Sequence, residues 1–261
     1  MPCALGVASP LDEPGWRDLK PATAAPLESC ILELKWMAHR NMVRLPRLIA
    51  RVRQLREQPA LRSSPLCSQA VKLAKAIQAL DAPGSETRAL HLVRVVKSKE
   101  PSSQEVLPYS FDFKSFEDMA ACVMYWYARL YAFRICFALN TICGFLEDGE
   151  VAQMRSDKLR MATNIMMTWE YARARPQFGV RPMTPLDGAW GALMGEESLR
   201  GKPIAMARAW LLERLPLVVG GLTASLKPED FDEASELHAG GPLKGYVADM
   251  YGAIAKDFCK L

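Results

Sequence analysis

Residues 120–146 are the stretch that most constrains what this chain can fold into. The segment reads AACVMYWYARLYAFRICFALNTICGFL, and Arg129 and Arg134 are its only charged residues. A helix that is apolar on every side must be buried, either in a membrane or inside a sizeable domain. Two arginines near the centre of a bilayer would cost roughly 2.5–3.5 kcal/mol each. The segment therefore predicts a central core helix and no membrane span.

The two arginines predict partners inside the domain. A buried guanidinium needs a carboxylate, a carbonyl at a helix end or a bound anion, because an unpaired buried charge is expensive. A candidate ligand or regulatory pocket follows, made of Trp126, Arg129, Arg134 and Trp169. The alternative is that the arginines form structural salt bridges and the tryptophans fill the core, which is the commoner role for aromatic residues at helical spacing.

The rest of the chain predicts an all-α fold, a single irregular multi-helix domain around the central helix. Half of the residues are hydrophobic, which is enough for a large core. Residues 1–26 contain five prolines and predict a disordered or loosely packed arm, and residues 27–261 predict the domain. Ser115 and Asp118 predict the start of the central helix as a capping box. Further helices are expected at 27–58, 63–80, 151–174, 184–194, 203–215, 228–239 and 243–258.

Some local features are ambiguous or predict interruptions. Pro46 and Pro216 each predict a break or kink, because proline lacks the backbone N–H that continues a helix. Residues 90–96, LHLVRVV, fit either a short strand or the end of a helix. Residues 98–113 predict an extended connection into the central helix.

A basic stripe is the second candidate surface. Arg40, Arg44, Arg47 and Arg51 are spaced by four, three and four residues, so a continuous helix places them on one face. They could contact phosphates or an acidic partner, although such stripes are more often simply a solvated face. The net charge of +4 does not by itself imply nucleic acid. Direct DNA binding is therefore not favoured.

Catalytic and metal-binding patterns are absent from the sequence. There is no dinucleotide-binding GxGxxG, no P-loop, no GxSxG elbow and no HExxH, and the three histidines are far apart. We therefore predict no catalytic residues, no metal site and no cofactor. The seven cysteines are scattered and odd in number, which is typical of reduced thiols in an intracellular protein. No basic leader precedes an apolar run, so secretion is not expected.

Several segments together resemble a known family. After the extended SFDF come SFEDMAACVMYWYARLYAFRICF, ATNIMMTWEYA, TPLDGAWGALM, RGKPIAMARAWLLERL and ELHAGGPLKGYV. This pattern, over about residues 28–258, resembles the C-terminal, all-helical regulatory region (middle homology type) of fungal binuclear zinc cluster transcription factors. The resemblance implies a nuclear protein that senses effectors, inhibits intramolecularly and contacts other regulators. It implies no catalytic residues.

The sequence departs from that family in its cysteines. Those factors bind DNA through six cysteines in a tight amino-terminal cluster, whereas residues 1–60 here hold only Cys3 and Cys30. The resulting hypothesis is a non-enzymatic regulatory or interaction domain without a DNA-binding zinc cluster. Its expected partners are proteins, with a homodimer left open, and a small effector. The alternative is an all-α enzyme or small-ligand carrier with a pocket near the central helix, in the cytoplasm or the nucleus.

Overall fold

The computed structural model describes residues 6, 9–12, 26–175, 185–219 and 227–243. Its helices in chain order are α1 (Pro26–Glu57), α2 (Pro65–Gln78), α3 (Ser85–His91), α4 (Pro101–Val106), α5 (Phe116–Cys143), α6 (Asp148–Met167), α7 (Trp169–Arg173), α8 (Leu186–Ala192), α9 (Ile204–Val219) and α10 (Pro228–His238). Its strands are β1 (Val93–Lys97), β2 (Tyr109–Phe113), β3 (Ser198–Leu199) and β4 (Lys202–Pro203). The predicted all-α class is confirmed, since the strands form only two small two-stranded sheets in these ranges.

Helix α5 is the buried central rod that its composition predicts. Its first turn carries the expected capping box, in which the Ser115 hydroxyl accepts from the Asp118 N–H and the Asp118 carboxylate accepts from the Ser115 N–H. It ends at Gly144, which adopts the left-handed conformation with φ of 57°. Helices α1, α2, α6 and α8 pack around it. None of the helices in the described ranges combines the length and hydropathy that crossing a membrane requires.

The break predicted at Pro46 is absent, because helix α1 runs unbroken through that residue. A proline inside a helix costs about 3 kcal/mol through the lost hydrogen bond and steric clash. The surrounding residues Leu45, Leu48, Ile49 and Val52 are fully buried. Each buried aliphatic side chain contributes about 1.5–3 kcal/mol, so packing along α1 outweighs the defect. The break expected at Pro216 is also absent, since α9 continues to Val219.

The single helix predicted over 151–174 is instead two helices, α6 and α7, that meet at Thr168. The Thr168 hydroxyl donates to the Ile165 carbonyl at 2.7 Å, and the Thr168 N–H donates to the same carbonyl at 3.1 Å. The Met167 carbonyl accepts from the hydroxyl of Ser110, which lies in β2. A donor from outside the helix thus binds a carbonyl at the point where the two helices meet.

The ambiguous segment 90–96 contributes to an antiparallel hairpin. Strand β1 pairs with β2 in a register that sets Val95 opposite Phe111 and Val93 opposite Phe113. Both phenylalanines are buried, and Phe111 packs against Trp126 with ring centroids 5.6 Å apart. The connection between the strands was expected to be extended throughout, but it contains the short helix α4. The hairpin thereby covers one flank of α5.

The last helix predicted from the sequence, at 243–258, lies outside the described residues apart from its first position. The predicted arm, residues 1–26, is described only at residue 6, at 9–12 and at position 26, where α1 begins. Pro10–Asp12 form one 3-10 turn there. The proposed division of the chain at residue 26 remains a prediction.

Two cysteines depart from the expectation of reduced thiols. Cys67, near the start of α2, is bonded to Cys143 at the end of α5, with Cα atoms 6.9 Å apart. The two residues are 76 positions apart in sequence, and nothing in their local pattern predicts that they meet. Cys30, Cys122 and Cys136 are free thiols, as expected. The bond ties α2 to the end of the central helix.

This cross-link predicts a redox-dependent stability. Closing a loop of this length removes chain entropy from the unfolded state and stabilises the fold by about 2–4 kcal/mol. Denaturant unfolding of the oxidised protein should therefore shift to lower denaturant on addition of dithiothreitol. Cys67→Ser should unfold like the reduced protein with or without reductant. Equal unfolding midpoints for the oxidised wild type and Cys67→Ser would contradict the cross-link, and Cys30→Ser serves as the matched control.

Candidate functional site

Arg129 is paired with the end of a neighbouring helix. Its Nε lies 3.4 Å from a carboxylate oxygen of Asp81, and its Nη1 donates to the carbonyl of Gln78, the last residue of α2, at 3.4 Å. Its guanidinium also lies 4.7 Å from the ring centroid of Phe133. The hydroxyl of Tyr125 donates to the same Asp81 carboxylate at 3.0 Å. Arg129 thus serves as a cap for α2, which is one of the partner types that its burial predicts.

Arg134 lies about 140° further round α5 and is paired with a different helix end. Its Nη2 donates to the carbonyl of Ser235, in the last turn of α10. Arg53 of α1 reaches the same end, donating to the carbonyls of Leu237 at 3.3 Å and Gly241 at 2.7 Å. Two buried guanidiniums therefore meet the carbonyl end of α10, where the helix dipole favours positive charge.

Glycines in α8 make room for the central helix. A Cβ atom on Gly191 would lie 2.5 Å from both Cζ and Nη1 of Arg134 and 2.6 Å from Oγ of Ser235. A Cβ on Gly188 would lie 2.8 Å from Cε2 of Tyr127. The sequence LDGAWGA therefore presents a bare backbone to α5, so the segment that carried part of the family resemblance has a packing role.

A polar network lies beside Arg134. The hydroxyl of Tyr127 lies 3.0 Å from that of Tyr131, and the Oδ2 of Asp187 lies within 3.4 Å of both. Burial raises the pKa of Asp187 and raises that of Tyr131 well above its usual value. The ring of Tyr131 packs edge-on against His238, with centroids 4.8 Å apart. Hydroxyl donors thus satisfy a carboxylate that little water reaches.

His238 is held neutral in this network. Burial, assisted by the nearby charge of Arg134, lowers the pKa of His238 to about 3. Its Nδ1 lies 2.8 Å from the carbonyl of Ala234, so in the neutral ring Nδ1 carries the proton and donates it. A histidine with this pKa is a poor general base near neutral pH, because the ideal base titrates near the working pH.

A small pocket opens next to the network, with a volume of about 180 Å³. Three cationic side chains line it, Arg56 from α1, Arg134 from α5 and Lys158 from α6. Arg56 pairs with Glu236 at 2.9 Å, and Lys158 pairs with Glu196 at 2.7 Å. Sequence reasoning placed only Arg134 of these cations in a candidate pocket. Arg56 and Lys158 are 102 positions apart along the chain, and only the tertiary fold brings them together.

The four residues of the predicted pocket lie in different surroundings within the described part of the chain. Trp126 and Trp169 are fully buried in the core, where Trp169 packs edge-on against Trp210 with ring centroids 6.5 Å apart. Arg129 and Arg134 point to different flanks of α5 and cap different helices. Of the four, Arg134 alone lines a pocket described here.

The basic stripe, Arg40, Arg44, Arg47 and Arg51, lies along α1 and is half-buried. Arg44 and Arg47 lie 3.9 and 3.2 Å from the carboxylate of Asp12, in the 3-10 turn near the start of the chain. Arg51 donates to the carbonyl of Gln69 at 3.1 Å. These arginines therefore already have acceptors within the protein, which leaves less of their positive charge for a nucleic acid or an acidic partner.

A larger groove was not predicted from the sequence. It lies between the β1–β2 hairpin and α7, has a volume of about 680 Å³ and is lined by Arg94, Lys99, Arg173 and Arg175 together with Glu100, Asp112 and Glu170. Arg94 pairs with Asp112, and Arg173 lies 2.5 Å from Glu100. The lining charges therefore largely neutralise one another. Within the described ranges, no three His, Cys, Asp or Glu side chains are grouped so that they could hold a metal ion.

Replacing Gly191 tests the close approach of α8 to Arg134. Gly191→Ala should destabilise the fold by about 2–3 kcal/mol, because the added methyl group overlaps a guanidinium that the core holds in place. Gly149→Ala is the matched control, since Gly149 is also helical and its Cβ would meet nothing within 4 Å. That control should be neutral or stabilising by about 0.5–1 kcal/mol. Chemical denaturation measures both, and a Gly191→Ala protein as stable as the control would refute the packing.

The buried neutral His238 predicts a pH dependence of stability. Its folded pKa lies below the unfolded value of about 6.5, so the unfolded state binds the proton more readily. The stability is therefore complete above about pH 6.5 and falls below it by about 1.4 kcal/mol per pH unit. The wild type should lose about 2 kcal/mol between about pH 7.5 and pH 5, a window that precedes most carboxyl titration.

Two variants isolate that effect. His238→Gln should lose clearly less stability than the wild type over the same window, because it has no imidazole to protonate. His91→Gln replaces an exposed histidine and should keep the wild-type slope. Urea unfolding at each pH measures the slopes, and identical slopes for wild type and His238→Gln would show that His238 is not the group responsible.

Comparison of the chain with family models, curated proteins and solved structures gave no match. The resemblance to the regulatory region of fungal zinc cluster factors therefore rests on the sequence segments alone. The contacts that those segments make in the fold are therefore the basis of the functional proposal.

Proposed function

We propose that this chain is a non-enzymatic, transcription-factor-type regulatory and interaction domain that lacks a DNA-binding zinc cluster. One observation carries the proposal: two of the segments that resemble the regulatory region pack beside Arg134 of the central helix. TPLDGAWGALM supplies Gly191 beside Arg134, and ELHAGGPLKGYV supplies the carbonyl and glycine end that Arg53 caps. These two segments of the resemblance therefore coincide with core contacts of Arg134 and Arg53.

The chemistry of the described titratable groups supports a non-enzymatic role. His238 is neutral and donates to a backbone carbonyl, and burial raises the pKa of Tyr131 away from neutral pH. Burial also raises the pKa of Cys122, and that of Cys136 to about 11, which disfavours their thiolates. These groups suit packing and hydrogen bonding better than proton transfer or nucleophilic attack.

Protein contacts are the proposed mode of action. Val95 and Tyr109, on the hairpin that borders the large groove, are exposed apolar side chains, at 59% and 44% of their surface. Such residues beside a charged groove suit a partner with both apolar and polar side chains. Direct DNA binding is not proposed, because Arg44, Arg47 and Arg51 make internal contacts. A nuclear location follows from the resemblance and is part of the proposal.

A tethering experiment tests the regulatory role. The full chain is fused to a heterologous DNA-binding domain upstream of a reporter with moderate basal activity, so that both activation and repression are measurable. We expect a several-fold change in reporter output relative to the DNA-binding domain alone. His91→Gln, an exposed substitution, should keep the effect.

A fold-disrupting variant separates a specific effect from crowding at the promoter. Trp190→Ala removes a buried indole whose Nε1 donates to Asp232 at 2.8 Å, and a truncation of this size costs about 3–5 kcal/mol. It should abolish the reporter effect. An unchanged reporter with a folded, equally expressed wild-type fusion would overturn the proposal, as would an effect that Trp190→Ala retains.

A further inference from the structure

The small pocket beside Arg134 has an excess of positive charge. Arg56, Arg134 and Lys158 line it, and Glu236 is the only carboxylate among its lining residues. Glu236 pairs with Arg56 and is half-exposed, whereas Lys158 pairs with Glu196, which does not line the pocket. The lining therefore carries three positive charges and one negative charge, from four helices that meet only in the folded protein.

Arg134 supplies a buried guanidinium with one donor that has no acceptor in the described part of the chain. Its side chain is 7% exposed, and while Nη2 donates to the Ser235 carbonyl, Nη1 has no hydrogen-bond acceptor among the described residues. Gly191 lines the same pocket, and a Cβ there would lie 2.5 Å from that nitrogen. The glycine at this position therefore makes room for the guanidinium itself, at the wall of the pocket. An unmade hydrogen bond by a buried charged group is costly, which favours an anionic acceptor.

Lys158 is the second buried cation. Burial lowers the pKa of Lys158, the Glu196 carboxylate opposes this shift, and the charges of Arg134 and Arg155 add to it. Two cations that repel each other across a small pocket are stabilised by an anion placed between them. The like charges and the unpaired donor thus both favour an anionic ligand.

The size of the pocket limits what it can hold. Its volume of about 180 Å³ equals roughly six water molecules at about 30 Å³ each. Pockets for whole drug-sized ligands are about 300–1,000 Å³. One oxyanion group fits this space, and a larger molecule would have to keep the rest of its structure outside.

We propose that this pocket binds a phosphate-class oxyanion, held by Arg134, Arg56 and Lys158 between α1, α5, α6, α8 and α10. A dianionic phosphate matches the lining charge better than a single carboxylate, and guanidinium groups suit phosphate oxygens. The anion is either inorganic phosphate or the phosphate end of a larger molecule. Its interpretation as the effector of the domain rests on the proposed function, whereas the binding itself does not.

Calorimetric titration of the full chain tests the site at low ionic strength. The probes are inorganic phosphate, glycerol 3-phosphate and, as a monocarboxylate, acetate. Two substitutions at the mouth of the pocket should act in opposite directions. Arg56→Gln should weaken phosphate binding roughly tenfold by removing a charged donor, and Glu236→Gln should strengthen it roughly threefold by removing the opposing charge.

Matched controls keep the same chemistry at a distance. Glu229→Gln removes an exposed carboxylate from the other end of α10, and Arg62→Gln removes an exposed guanidinium just beyond α1. Both should leave the affinity unchanged. None of the four substitutions lies in the buried core, so each protein should fold, and thermal melts without ligand verify this.

The outcomes separate the ligand sources and the two proposals. Saturable binding of both phosphate probes, with the opposite effects of the two mouth variants, supports a site for the phosphate end of an ester. Binding of inorganic phosphate alone, with the same effects, supports a site for the free ion. No saturable binding, equal binding of acetate, or affinity unchanged in both mouth variants would overturn the site. A failed titration with an active reporter would leave the regulatory role standing, and the reverse result would refute only that role.

Discussion

The need to satisfy charges buried on the central helix organises this structure. Arg129 and Arg134 lie in a segment whose other side chains are apolar or neutral, and a guanidinium there must find acceptors within the protein. Each arginine meets the carbonyl end of a different neighbouring helix, Gln78 on α2 and Ser235 on α10. A helix C-terminus offers unpaired carbonyls and a favourable dipole, so it suits this purpose well. The hydrogen bonds of Arg129 and Arg134 thereby help to position α2 and α10 around α5.

Close packing around those charges accounts for several otherwise unrelated residues. Helix α8 must carry glycine at position 191, since the Arg134 guanidinium occupies the space of a side chain there. His238 remains neutral because burial penalises its charged form, and the nearby charge of Arg134 adds to that penalty. Arg53 reinforces the same helix end from α1. The residues around Arg134 therefore contribute to stability, hold His238 in its neutral form and line the small cationic pocket.

Local chemistry explains which elements could be predicted from the sequence. The Ser115–Asp118 capping box and the left-handed Gly144 define the ends of α5 through contacts within a few residues, so their pattern is readable directly. The requirement for buried acceptors at Arg129 and Arg134 follows from composition alone. The predictions at Pro46 and at Thr168 were wrong for the opposite reason. Burial of Leu45, Leu48 and Ile49 keeps α1 continuous, and Ser110, from a strand distant in sequence, donates to the Met167 carbonyl where α6 ends.

The candidate sites, like the helices, were predictable from the sequence only in part. The sequence by itself determined that the fold is helical, that the long apolar segment supplies the central core helix and that two arginines there need partners, because these follow from hydrophobicity and local hydrogen bonding. Only the tertiary structure decided which partners they have, that Trp126 and Trp169 are fully buried in the core, and that Arg56 and Lys158 join Arg134 around one small space. Long-range packing brings these groups together, and the spacing of residues along a chain carries little information about contacts between helices far apart in sequence.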